Sequence, residues 1–276
     1  MKAFSKINVL FLILISLNAC KKEEPVTTTT PASTGCKISK VDFGGGEYDA
    51  YTFNSLGQAS RYDEYIKDGT GKIVHTTSNY VYDSNGLLIN KKNVTGGQEK
   101  YTYANGALTT IEIFDNKNVS IYKVTVTTNA NKKIIGMKDS NNFTSKIIRD
   151  ALGNFTKSET FDENNNLVLR EEMSKYDGKK GWKSSLSGWP LNVSYSYDNY
   201  LFYGVYFNEP SGNADDNILY WGYDEKGEYA GKLELYYHRT YTKQFNSKGF
   251  PTQASVKDAL DRAYDVKVIY SYSDCQ

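Results

Sequence analysis

Histidine, cysteine, tryptophan and proline are all scarce, with 2, 3, 3 and 5 residues in a chain of 276. His75 and His238 are too few for a zinc site, which takes three or four ligands, and no HExxH pairing occurs. There is no Gly-x-Ser-x-Gly elbow and no Gly-x-x-x-x-Gly-Lys loop, so two common nucleophile and phosphate signatures are missing. No segment carries a convincing helical apolar period. Charge of one sign is lacking too: 33 basic side chains stand against 32 acidic ones. A near-neutral chain argues against nucleic acid as the main partner. No stretch implies a cofactor or a metal.

What is abundant is tyrosine, 24 residues, beside many small polar turn formers. The organising stretch is Tyr80-Val81-Tyr82-Asp83-Ser84-Asn85-Gly86-Leu87-Leu88. Tyr80 and Tyr82 are two apart and share one face of a strand. Asp at the first position and Gly at the fourth suit a type I turn, after which a second strand starts. Cognate units end at Gly57, Gly106, Gly153, Gly227 and Gly249. In looser copies after Phe114 and Phe161, Asn stands in the place of Gly, as the residue that next best accepts left-handed geometry. The uneven spacing favours hairpins of unequal length over a strict solenoid. The expected fold is all-β: sequential antiparallel hairpins forming a curved, partly open sheet or an incomplete barrel.

The N-terminus carries an address. Residues 1–19 read as a secretory signal, with Lys2 and Lys6 ahead of an apolar core too short to span a bilayer comfortably. Leu17-Asn18-Ala19-Cys20 resembles the bacterial lipobox, which implies diacylglyceryl modification of Cys20 and cleavage in front of it. Two or more acyl chains make a stable membrane anchor, at about 0.8 kcal/mol per buried CH₂. Lys21-Lys22-Glu23-Glu24 resembles the surface-export signals of Bacteroidota lipoproteins. This implies an outer-membrane protein exposed at the cell surface, with the periplasmic face as the alternative. The Thr/Pro-rich remainder of 20–36 reads as a tether.

With Cys20 lipidated, Cys36 and Cys275 are the remaining thiols. In an oxidising envelope they invite a disulfide across the whole domain; two unpaired cysteines are the alternative. Residues 37–276 read as a single β domain with a possible sub-boundary near 174–190. Ile111 and Ile113 alternate with Glu112, and Tyr122, Val124 and Val126 with Lys123 and Thr125. Val266, Val268, Tyr270 and Tyr272 alternate with Lys267 and Ser271. These are strands with one apolar and one wet face. Asn208–Asn217 reads as an irregular polar loop. Its Asp215 and Asp216 offer oxygen ligands for Ca²⁺, but without EF-hand spacing.

The Tyr-x-Tyr-Asp-x-x-Gly units, Trp189-Pro190-Leu191 and Phe245-Asn246-Ser247-Lys248-Gly249-Phe250-Pro251-Thr252 resemble a family of Bacteroidota lipoproteins of unknown function. The units are also similar to the YD repeats of rearrangement-hotspot proteins, whose hairpins build a β shell. The resemblance implies a fold and an address, not a chemistry.

The functional lead is aromatic. Trp182, Trp189, Trp221 and Tyr236 are candidate ligand-binding residues, because exposed rings on a rigid sheet stack on sugars or on a partner protein. The expectation is a membrane-anchored binding module for glycan or protein. A structural or assembly accessory of an envelope complex is the alternative, and a glycan-active hydrolase using two of the many carboxylates is a third reading. No catalytic residue stands out.

Overall fold

The computed structural model describes residues 36–176, 179, 181, 215–222, 234–261 and 264–275. All belong to one unit, Pro31–Gln276. The predicted signal and Cys20 lie outside the described residues, as do Trp182, Trp189 and the cognate turn ending at Gly227.

The chain forms antiparallel strands in direct succession. These are β1 (Lys37–Gly44), β2 (Glu47–Phe53), β3 (Ala59–Lys67), β4 (Ile73–Tyr82), β5 (Leu88–Asn93), β6 (Gln98–Ala104), β7 (Ala107–Phe114) and β8 (Ser120–Thr128). There follow β9 (Ile134–Asp139), β10 (Thr144–Arg149), β11 (Phe155–Phe161), β12 (Leu167–Tyr176), β13 (Asp215–Gly222), β14 (Glu234–Phe245), β15 (Pro251–Asp258) and β16 (Asp265–Ser273). The all-β class and the sequential hairpins are as expected. One local reading changes. Asp215, Asp216 and Asn217 belong to β13 instead of a loop, pairing with β12 and β14. Between the paired strands β15 and β16 the Asp258 N–H donates to the Tyr264 carbonyl.

Most tight turns are one device. At Asp83, the Gly86 N–H donates to the Asp83 carbonyl, and the Asp83 N–H to the Leu87 carbonyl. The carboxylate Oδ1 accepts from the N–H groups of Asn85 (2.9 Å) and Leu87 (2.8 Å). Gly86 sits at φ +79°, where a side chain is strained. The same scheme recurs at Asn54, Asp68, Asp115, Asn129, Asp139, Asp150, Asp162 and Asn246. Asn118 (φ 61°) and Asn165 (φ 63°) take the glycine position as expected, and Lys132 (φ 60°) does so unexpectedly. The turn at Asn105-Gly106 departs from the scheme. Both residues have positive φ and Ala104 pairs with Ala107, which makes it a two-residue hairpin turn.

Beside many of these turns the ladder slips by one residue, at Thr52/Phe53, Val81/Tyr82, Ile113/Phe114, Ile148/Arg149, Thr160/Phe161 and Gln244/Phe245. Such bulges bend a strand and add right-handed twist. Repeated along the chain, they curl the sheet until its terminal strands meet. β1 pairs with β16 from Lys37↔Ser273 to Asp42↔Ile269, and the pairing order closes on itself as a barrel. The end strands therefore join, at the close of the curved run of sequential hairpins. The Cys36–Cys275 disulfide, with Cα atoms 4.2 Å apart, ties this seam.

The two faces divide cleanly. On β8, Val124 and Val126 are buried while Lys123, Thr125 and Thr127 are exposed. On β16, Val268 and Tyr270 are buried while Lys267, Ile269 and Ser271 are exposed. Ile38, Ile111 and Ala254, on β1, β7 and β15, are wholly buried and belong to one apolar cluster. An inner face open to a water-filled lumen would leave such side chains accessible. At these positions the inner face is packed and not lined by water.

Candidate binding surface

The barrel has two ends. Chain alternation places Cys36, Cys275 and the turns at Asn54, Asp83, Asp150 and Asn246 at one of them, here the cystine end. The turns at Asp68, Asn93, Asp115, Asp139 and Asp162 lie at the far end.

Toward the far end the inner face turns polar. Asp49 accepts from the Tyr62 hydroxyl at 2.9 Å and from that of Tyr51 at 3.5 Å. Glu99 accepts from the Tyr101 hydroxyl and pairs with Lys91 at 2.8 Å. Asp139 works twice: Oδ2 accepts from the Tyr122 hydroxyl, and Oδ1 holds the Asn141–Phe143 turn. Burial, reinforced by the neighbouring carboxylates, pushes the Tyr51, Tyr80 and Tyr101 hydroxyls well above the ordinary tyrosine value. These phenols stay protonated, and those of Tyr51 and Tyr101 donate to Asp49 and Glu99. Among the described residues no three His, Cys, Asp or Glu side chains converge into a metal site.

On the outer face, register aligns Tyr48, Tyr65 and His75 across β2, β3 and β4. The rings stack in a row. Tyr48 and Tyr65 are 4.2 Å apart at 18°, and Tyr65 and His75 are 4.2 Å apart at 6°. Lys40 lies 4.1 Å over the Tyr48 ring. One layer toward the cystine end, Arg61 grips Asp63 with two bonds of 2.7 and 2.8 Å. These bonds, with help from Thr77 and His75, hold the Asp63 carboxyl well below the usual carboxylate range against the raising effect of its burial.

His75, Asp63 and Thr77 have the residue types of a hydrolytic triad but not its geometry. Asp63 Oδ1 and Thr77 Oγ1 meet the same imidazole nitrogen, Nε2, at 2.9 and 3.2 Å. Thr77 donates to Asp63 directly at 2.6 Å. A triad needs the acid on one ring nitrogen and the nucleophile on the other. The cluster fixes the ring row instead.

Other outer aromatic rings are capped by lysine. Lys100 stands 4.1 Å over Phe114, and Lys146 stands 4.8 Å over Phe161. Both pairs obey one rule: the lysine faces a glutamate on the next strand (Glu112, Glu159), and the phenylalanine lies two residues beyond it. Periodicity alone did not single out this cap or the ring row. The signal available was Lys two residues before Asp42 and Tyr48-x-Ala50 entering β2, which only register converts into contacts.

The sequence-derived aromatic set is only partly placed. Trp221 lies on β13 opposite Arg170 and Leu235, and Tyr236 lies on β14. Their side chains, with Trp182 and Trp189, are outside the described residues. Cys36 and Cys275 are brought together as a disulfide.

No family model matches the chain. No curated protein matches it. Among solved structures, a porin-like protein from Bacteroides uniformis ATCC 8492 is 15% identical, with TM-score 0.47, over 86% of this chain and 98% of that one. A porin-like protein from Bacteroides vulgatus ATCC 8482 is 12% identical, with TM-score 0.40, over 86% of this chain and 99% of that one. The TcdB2-TccC3-TEV structure is 10% identical, with TM-score 0.29, over 83% of this chain and 15% of that one. None of these likenesses bears on ligand or activity.

Proposed function

We propose that this chain is a lipid-anchored envelope lipoprotein whose barrel stands outside the bilayer as a rigid binding module for glycan or protein. The observation that carries the reading is the polarity of the two faces. A barrel that crosses a membrane is apolar outside and polar within. Here Lys100, Lys123, Lys146 and Lys267 lie exposed along the outer face, while Ile38, Ile111 and Ala254 are buried on the inner face. A lysine facing lipid at the midplane costs about 2–4 kcal/mol, so several such positions argue against immersion. Cys20 with its tether then supplies the membrane attachment, and the outer membrane, surface side, is its address.

Ligand capture is assigned to the aromatic residues singled out in the sequence. Tyr48, Tyr65, Phe114 and Phe161 already have a ring face occupied by a neighbouring ring or a lysine. Trp182, Trp189, Trp221 and Tyr236 are the residues to test. Cells displaying the full chain should retain a polysaccharide or protein from a broad ligand panel. Replacing all four aromatics by Ala should abolish retention without lowering the amount of folded protein. Retention unchanged by the quadruple replacement would overturn this assignment.

A further inference from the structure

The β3–β4 pairing runs further toward the far end than the β4–β5 pairing beside it. The last β4–β5 pair is Ser78↔Asn93, yet β4 begins at Ile73 and stays paired to β3 up to Lys67↔Ile73. The Val94 N–H donates to the Thr77 carbonyl at 2.9 Å, which closes the β5 side as far as Thr77. Backbone directions alternate along a strand, so Ile73 and His75 point their N–H and C=O groups to the same side as the Thr77 carbonyl. Among the described residues no strand pairs with that side of Ile73–Thr76.

The side chains on this edge are unusual for a free edge. Ile73 (37%) and Val74 (38%) are large, apolar and exposed, and His75 is exposed at the end of the ring row. Proline, lysine or a bulge ordinarily blunts a free edge, and Ile73-Val74-His75-Thr76 holds none of these.

We propose that this edge of β4 pairs antiparallel with the same edge of a second copy of the chain, about a two-fold axis at Val74. In that register Ile73 and His75 of opposite copies exchange both their backbone bonds, and symmetry repeats the exchange. Val74 faces Val74 of the second copy in the close, non-hydrogen-bonded position. Ile73 of the second copy covers the outer face of His75, so the row Tyr48–Tyr65–His75 continues into the apolar side chain across the axis. Each exposed apolar group on the edge finds its cover in the same group of residues. Thr77 stays out of the exchange and keeps its bond to Val94. This self-complementarity favours a second copy over a foreign strand.

The test uses the full chain in the membrane of the expressing cell. A Val74→Cys variant places two thiols opposite each other across the axis, within disulfide reach. Mild oxidation should give a disulfide-linked dimer on a non-reducing gel. Val81→Cys, exposed near the cystine end of the same strand, should stay monomeric. Adding Ile73→Pro to Val74→Cys removes an edge donor at the first residue of the strand and leaves the His75 stack in place. It should weaken association roughly thirtyfold through the two bonds lost per dimer. Three results would overturn the proposal: a thiol at position 74 that is labelled by maleimide yet never crosslinks, a dimer insensitive to Ile73→Pro, or a crosslink to a protein of different mass.

Discussion

Lys91 Nζ and a Glu99 carboxylate oxygen meet at 2.8 Å on the inner face, with both side chains largely buried. They stand directly opposite each other on β5 and β6, and the Tyr101 hydroxyl donates to the same carboxylate. Removing one member of a buried pair strands the other charge. Lys91→Met should destabilise the protein by about 3–5 kcal/mol. Lys91→Met with Glu99→Leu should recover much of that loss. Urea titrations of the three proteins check the coupling.

The turns make a second, opposite-signed pair of predictions. Gly86→Val puts a branched side chain at φ +79° and sets its Cβ 3.0 Å from the Gln58 amide nitrogen. It should cost more than about 1 kcal/mol. Lys132 already pays the left-handed penalty at φ 60°. Lys132→Gly should stabilise by about 1 kcal/mol, read as a higher urea midpoint at unchanged slope.

The seam between β1 and β16 depends on Cys36–Cys275, which closes a loop with a sequence separation of 239. Replacing both cysteines by Ser should cost about 2–5 kcal/mol. Hydrogen exchange should rise first in β1 and β16, since those strands lose their tie.

Two groups of side chains set the pH limits. Asp63 has a depressed folded pKa, so its contribution is present above the unfolded carboxylate value and is lost as pH falls through the folded one. Asp63→Asn should flatten the acid side of the stability profile below about pH 4. Tyr51, Tyr80 and Tyr101 have raised pKa values, so their contribution is present below the unfolded tyrosine value and is lost as pH rises past it. Absorbance at 295 nm should show these phenolates appearing together with unfolding above about pH 10, not before it.

Much of the fold is written locally. Asx-x-x-Gly marks a turn because the carboxylate or amide oxygen reaches two backbone donors, and that reach is a property of a few adjacent residues. The alternation of Val124 and Val126 with Lys123 and Thr125 is local as well. Closure was not legible, because it follows from the summed twist of many bulges whose register slips are set by pairing. The turns at Asp68, Asn93, Asn129 and Asp139 also passed unread, since no Tyr-x-Tyr precedes them and Lys132 or Asn142 stands where Gly would. At the site, the disulfide was readable from cysteine count and compartment. The ring row Tyr48–Tyr65–His75 was not, because its members are scattered and only strand register aligns them.

The central claim is that this barrel stands on a lipid anchor and does not cross the membrane. The direct measurement is membrane extraction of a chain given a signal cleaved ahead of Lys21, so that no Cys20 remains. Released in soluble, folded form into the periplasmic fraction, with Cys36–Cys275 formed, the protein behaves as this account predicts. Recovery only from the outer membrane after alkaline washing, in a detergent-dependent form, would contradict it and make the barrel itself the membrane-embedded part.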